Sequence, residues 1–207
     1  GPLRSLEPIK VIALLRSLSE EGYKEVVLTG IHLGKYGVDL SPAPSLKDLL
    51  RLIGKERLAL RIRLSSIEPK EVVPDLIRMA ASEEWLCRHF HVPLQSGDNE
   101  ILKRMNRNYT SEEYARLVES IHRQIPLAAI GVDIMAGFPR EEDKAYRNTY
   151  DLMKDLPVSY FHVFPFSPRK GTAAWDFRDK VEDREIKKRA EALRVLGQKK
   201  REAFYRS

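Results

Sequence analysis

The sequence predicts an α/β protein in which five parallel strands form an open, curved partial (β/α) barrel. Three observations carry this. Helical and strand patterns alternate without a break, as α-β-α-β-α-β-α-β-α-β-α, and that order demands a parallel sheet with helices outside it. Each strand runs into a polar or glycine-bearing loop, and right-handed crossovers place all of those loops on one face. Five strands are too few to close an eight-stranded barrel, and an opening helix ought to connect from an earlier strand. The chain is therefore expected to start one strand late.

Taken in order, Ser5 before Leu6-Glu7-Pro8 has the form of a capped helix start with proline in the first turn. Leu6, Ile9, Ala13 and Leu18, with Ile12 and Leu15 beside them, give that helix an apolar face to about Glu20. Gly22 ends it, and Lys24–Thr29 reads as a buried strand. Ser45 with Asp48 resembles a capping box ahead of a helix carrying Leu46, Leu49, Leu50 and Ile53 and closed by Gly54. A strand follows at Ala59–Leu64, a helix at Pro74–Ala81, and a third strand at His89–Val92. The helix from Ser111 should bury Tyr114, Leu117, Val118 and Ile121; Ala128–Met135 reads as a buried strand. A helix at about Asp143–Lys154, a strand at Tyr160–Phe164 and a long basic helix at about Asp183–Tyr205 complete the alternation.

A chain of 207 residues can bury a real core. No stretch approaches the roughly 18 consecutive apolar residues of a membrane span, so no membrane partner is expected. The start has no secretion-signal design. A single cysteine, Cys87, excludes an internal disulfide framework, points to a reducing compartment, and is most simply a small buried hydrophobe. Nor can one thiol supply a zinc or iron–sulfur site. The net charge of +6 is uneven: Arg178–Ser207 holds eleven Lys/Arg against six Asp/Glu, or +5. That tail suits a polyanion, but charge alone favours a solvated mixed-charge helix.

The stretch His91–Thr110 is the most informative. A short strand breaks at Pro93, and a polar loop, Gln95-Ser96-Gly97-Asp98, feeds a basic helix. Such a loop is where open α/β proteins build ligand sites, and Asp98 is placed to cap the helix. The other strand-end loops offer Thr29, Gly30, His32 and Tyr36; Ser65, Ser66 and Glu68; Asp133; and Ser167, Arg169, Lys170 and Thr172. Glycines there let backbone N–H groups approach a ligand closely. No carboxylate pair, Ser-His-Asp spacing or P-loop occurs. His32 reads as a hydrogen-bonded surface group; His89, His91, His122 and His162 read as packing or hydrogen-bonding residues. The residues alone give a binding face without visible catalytic chemistry.

Three motifs, HVPLQSG…ILKRMNR.YT, GVDIMAGFP.E and FHVFPFSPRKGTA, together resemble the radical S-adenosylmethionine (SAM) methylthiotransferases over essentially the whole chain. VVLTGIHLGKYG is most similar to the branch that modifies tRNA at N6-threonylcarbamoyladenosine beside the anticodon. The resemblance implies a cytoplasmic enzyme with a cluster-binding domain, a six-stranded radical SAM partial barrel and an RNA-binding β-domain. It also implies SAM, two [4Fe-4S] clusters and an external electron donor. The CxxxCxxC motif that holds the SAM cluster is absent here, so this chain should be strands two to six, unable to hold a cluster and inactive alone. Residues 1–178 would be the truncated barrel, and 179–207 a basic helix leading to the RNA-binding domain.

By position, the resemblance assigns SAM contacts to Thr29, Gly30, Ser65, Ser66, Glu68, Gln95 and Ser96. It adds Asp133, Ile134 and Met135, with Phe164, Pro165, Phe166 and Ser167, around the adenine. His32, Tyr36, Arg104, Arg107, Arg169 and Lys170 would face tRNA. Other targets within the family, namely isopentenyladenosine in tRNA or a ribosomal-protein aspartate, remain open. So do a non-catalytic RNA-binding module and a small-molecule α/β enzyme that holds a phosphate. Without a first strand, Lys24–Thr29 would be an exposed edge through which the chain self-associates.

Overall fold

The computed structural model describes residues 2–207 and divides into two compact units, one ending at His91 and the other beginning at Val92. Both are built from parallel strands alternating with helices, and neither contains a closed barrel. The expected alternation is present in full. Among the described residues no helix is long and apolar enough to cross a membrane.

The first unit holds α1 (Pro8–Glu20), β1 (Glu25–Leu28), α2 (Leu46–Lys55), β2 (Arg61–Leu64), α3 (Pro74–Ser82) and β3 (His89–His91). β1 and β2 pair in parallel, with Glu25 opposite Arg61 and Leu28 opposite Leu64. β2 extends to the segment ahead of β3 through Ile62 N–H to Trp85 O (2.7 Å) and Cys87 N–H to Ile62 O (2.8 Å). The Ser45–Asp48 capping box is present in both directions, and α2 buries Leu46, Leu49, Leu50 and Ile53 as its periodicity requires. Gly22 ends α1 at φ +90°, a conformation that an L side chain resists.

Three expectations for this unit need correction. Ser5 does not cap α1, whose N-cap is Glu7. Its hydroxyl donates to Asp39 Oδ1 (2.6 Å) and accepts from Gly37 N–H (2.9 Å), so it fastens the loop after β1. The buried stripe of α1 is Val11, Ile12 and Leu15, whereas Leu6 precedes the helix and Ile9 is 76% exposed. β1 is only half-buried, because Val27 points to solvent.

The second unit holds α4 (Asn99–Arg104), α5 (Ser111–Gln124), β4 (Ala129–Ala136), α6 (Asp143–Asp155), β5 (Tyr160–Pro165) and α7 (Asp183–Arg206). β4 and β5 pair in parallel from Gly131–Tyr160 to Ala136–Pro165. On the other side of β4 runs the segment from Val92: Val92 N–H donates to Gly131 O (2.9 Å), and Met135 N–H donates to Gln95 O (2.9 Å). The fully buried Tyr114 of α5 donates its hydroxyl to Val92 O (2.8 Å), and Tyr109 donates to Leu94 O (3.0 Å). α5 starts at Ser111 as expected, behind a capping box between Thr110 and Glu113. β4 alternates, with Ile130, Val132, Ile134 and Ala136 buried, and α7 covers β5 where Gly197 lets the ring of Phe161 come close.

Candidate functional site

In the first unit the strand ends carry Thr29 and Gly30, both exposed, just beyond β1. After β2, Ser65 N–H donates to Leu28 O (3.0 Å), which ties the two strand ends together. The Ser65 hydroxyl is buried with no hydrogen-bond partner. Leaving such a group unpaired costs about 1–3 kcal/mol, so it marks a place where a polar ligand would repay its presence. Ser66 is exposed; Glu68, half-buried, precedes the short turn Pro69–Glu71 and accepts from Glu71 N–H (2.8 Å). His32 is exposed at the head of the Leu33–Lys35 turn. The hydroxyl of Tyr36 donates to Leu6 O (2.6 Å), and burial, with Asp39 nearby, pushes its pKa up. Beside β1 lies an apolar cavity of about 690 Å³ lined by Leu15, Val26, Leu28, Gly30, Leu33 and Tyr36.

Two further groups of this unit merit a correction or a test. Cys87 is half-buried rather than buried, and its Sγ donates to Glu25 Oε2 (3.5 Å); burial and that carboxylate raise the thiol pKa. His89 is held down to about 4 from an ordinary 6.5, first by burial and then by Arg63 and His91. Between those two values the unfolded chain binds a proton at His89 that the folded chain does not. Stability should therefore be full above pH 6.5 and fall as pH drops toward 4, by at most about 3 kcal/mol and by less to the extent that solvent screens the partly exposed ring. Urea titrations across that range test this: His89→Asn should flatten the slope, and an unchanged slope would refute it.

In the second unit the loop Gln95–Asp98 is fastened from three sides. Gln95 adopts φ +74° and donates its N–H to Asp133 O (2.8 Å). A non-glycine residue in that region is strained, and strain of this kind persists where the surroundings hold it in place. Ser96 is fully buried, its hydroxyl 3.3 Å from Thr149 Oγ1, and Gly97 N–H donates to the same oxygen (2.9 Å). Asp98 caps α4 as expected, accepting from Glu100 and Ile101 N–H (3.0 and 3.1 Å), and its other oxygen accepts from Asn148 (2.8 Å). The structure thus turns Ser96 toward α6. Thr149 and Asn148, which do this, carried no signal in the sequence, because their role depends on α6 folding back over the loop.

Asp133 and His162 stand opposite each other in register, with Oδ1 3.3 Å from Nδ1. His162 is 57% exposed, so it is not packed into the core. Tyr160, His162 and Phe164 form a row on one face of β5, their ring centroids 5.5 and 6.5 Å apart. Ile134 is buried in the core, Met135 is half-buried, and Pro165 and Ser167 are exposed. Phe166 packs edge-on against Phe138 (5.3 Å). Arg104 lies over the ring of Phe177 (4.9 Å) with its Nε buried and unbonded. It lines a polar recess of about 600 Å³ together with Asp98, Lys103, Arg140, Glu142 and Lys144. Arg107 is half-buried, while Arg169 and Lys170 are exposed in the loop after β5.

Behind this loop face, Arg189 of α7 is almost fully buried against acids. It donates to Glu141 Oε2 (3.2 Å), to the Glu141 carbonyl, to Asp143 (2.7 Å) and to Glu185 (3.2 Å). Glu141 also accepts from Gly137 N–H (2.8 Å). Burial raises the Glu141 pKa against the pull of Gly137 N–H and Arg189; burial alone would lower that of Arg189, but its acidic partners raise it. Glu141 stands in the sequence only as the last residue of the motif GVDIMAGFP.E, and Arg189 only as one cation of the basic helix.

Parallel strands alternating with helices, with polar and glycine-bearing loops at their carboxyl ends, define a ligand-binding α/β scaffold. The chain belongs to the radical SAM superfamily, which it matches over residues 1–153. It is 41% identical over 99% of its length to the threonylcarbamoyladenosine tRNA methylthiotransferase MtaB of Aquifex aeolicus (strain VF5), covering 50% of that protein. The MtaB of Bacillus subtilis (strain 168) is 38% identical over 95% of the chain, which covers 44% of it. A tRNA-2-methylthio-N(6)-dimethylallyladenosine synthase of Clostridium botulinum (strain Hall) is 36% identical over 99%, with 46% of it covered. The chain thus spans about half the length of these curated relatives. Among solved structures, coproporphyrinogen III oxidase of Escherichia coli superposes with a TM-score of 0.65 at 15% identity, over 93% of this chain and 46% of that one. The Kitasatospora setae methyltransferase TsrM gives 0.61 at 21%, over 77% and 31%. These two share the fold.

Proposed function

We propose that this chain is the central part of a radical SAM tRNA methylthiotransferase that converts N6-threonylcarbamoyladenosine to its 2-methylthio derivative. The observation that carries the reading is the 41% identity, over 99% of the chain, to a relative named for that substrate. The dimethylallyladenosine relatives stand as the second reading, at 36–38%. In the first unit, the orphan hydroxyl of Ser65 beside Thr29, Gly30, Ser66 and Glu68 suits a polar cofactor such as SAM. In the second, the ring row of β5 suits the flat base of a nucleic-acid substrate. SAM, when bound, supplies the radical that activates the adenine ring. The chain's own residues bind and orient; one cysteine, engaged with Glu25, does not suit a cubane cluster. The clusters and the electron donor would therefore come from outside these residues, and the chain alone would be inactive. We place the enzyme in the cytoplasm, where tRNA is modified.

The test is to express the natural polypeptide carrying this chain in a bacterium lacking its own methylthiotransferases and to digest the tRNA for mass spectrometry. The 2-methylthio derivative of N6-threonylcarbamoyladenosine is expected. The dimethylallyl derivative in its place would favour the second reading, and no thiomethylated nucleoside would overturn both.

The 207-residue chain by itself should also self-associate through β1, which pairs with β2 on one side only among the described residues and exposes Val27. Light scattering should show dimers or larger, and Val27→Lys should shift the population toward monomer. A monodisperse monomer of the unaltered chain would end the idea.

A further inference from the structure

Along β5 the burial alternates. Phe161 is buried against α7, whereas Tyr160, His162 and Phe164 point to the other face. On the same face of β4, in register, stand Gly131, Asp133 and Met135. Gly131 has a steric reason to be there: a Cβ would come within 2.4 Å of the end of the Tyr160 ring, which lies across it. Two aromatic rings thus flank an imidazole whose Nδ1 meets a carboxylate, and Phe164 is 49% exposed. Stacking surfaces of this kind hold a nucleobase, and the exposed Arg169 and Lys170 beyond the strand end supply cations for the attached phosphates.

Asp133 Oδ1 lies 3.3 Å from Nδ1, so a carboxylate stands beside that edge of the imidazole, as a second group stands beside many metal-binding or catalytic histidines. A base stacked on this row brings the edge of the imidazole to its substituents. The two substituents in the names of the relatives differ in the relevant chemistry. Threonylcarbamoyl carries a urea, a hydroxyl and a carboxylate, and dimethylallyl is a hydrocarbon. A polar dyad facing the first is satisfied; facing the second, it is desolvated with nothing in return.

We propose that His162, with Asp133 beside it, determines which N6 substituent of the target adenosine is accepted. The proposal rests on the tRNA reading above. The experiment compares binding, by fluorescence anisotropy, of two anticodon stem-loop RNAs carrying N6-threonylcarbamoyl- or N6-dimethylallyl-adenosine to the natural polypeptide that contains this chain. The unaltered protein should prefer the first. His162→Phe, which keeps a ring for stacking, should cut that preference about tenfold, and His162→Gln, which keeps a hydrogen-bonding group, should restore most of it. If His162→Phe melts early, His162→Leu takes its place. An unaltered protein without the preference overturns the substrate reading and the selector role with it. A preference that survives His162→Phe, or an equal loss on both RNAs, overturns the role of His162 alone.

Discussion

Arg189→Ala should destabilise the protein by about 3–5 kcal/mol. The guanidinium is 5% exposed and serves three acids and a carbonyl. Its removal leaves the side chain of Glu141, 1% exposed, as a buried carboxylate whose remaining support is Gly137 N–H. The penalty is the stranded charge, not the worth of the ion pair. A double variant tells these apart: Arg189→Met with Glu141→Met removes both charges and should recover most of the loss. Urea denaturation followed by circular dichroism measures both. A cost below about 1 kcal/mol for Arg189→Ala would mean that water reaches Glu141 and that α7 is not fastened here.

Gly97→Ala should cost about 2 kcal/mol, near the middle of the range for forcing an extra methyl into a packed site. The new Cβ would lie 2.6 Å from Thr149 Cα and 3.0 Å from the Asn148 carbonyl, backbone atoms of α6 that cannot rotate aside. The loop would have to retreat, stretching the bond from Gly97 N–H to Thr149 Oγ1 and shifting Gln95. On the function proposed above, RNA and SAM affinity should fall along with stability. Thr149→Val separates packing from hydrogen bonding, since it keeps the shape and removes the acceptor. A Gly97→Ala protein with an unchanged denaturation midpoint would show that the loop and α6 are not in contact in solution.

Glycine at position 97 could be read from the sequence as a close approach, but its partner could not. The same division runs through the molecule. Ser45 with Asp48, Asp98 ahead of α4 and the stripe of α2 depend on neighbours three or four residues away, so their roles were legible. On α1, Ile12 and Leu15 lie in the buried face as expected, but Leu6 and Ile9 fit a helical period as well as Val11 does, and only contact with α2 decides between them. In the candidate site, Asp133 and the loop Gln95–Asp98 stood out as polar residues at strand ends. The match of Asp133 to His162 depends on strand register, and the buried roles of Glu141 and Arg189 on how α7 lies; sequence spacing encodes neither.

The segment from Val92 to Gln95 has its outward carbonyls taken by the hydroxyls of Tyr114 and Tyr109 and its amides by β4. It is already as ordered as a ligand could make it. A ligand arriving at this loop meets no conformational search, so little of its binding free energy goes into ordering the chain. Calorimetry should accordingly return a heat-capacity change sized to the ligand's own buried apolar surface, without the large negative excess that marks a loop folding around its guest.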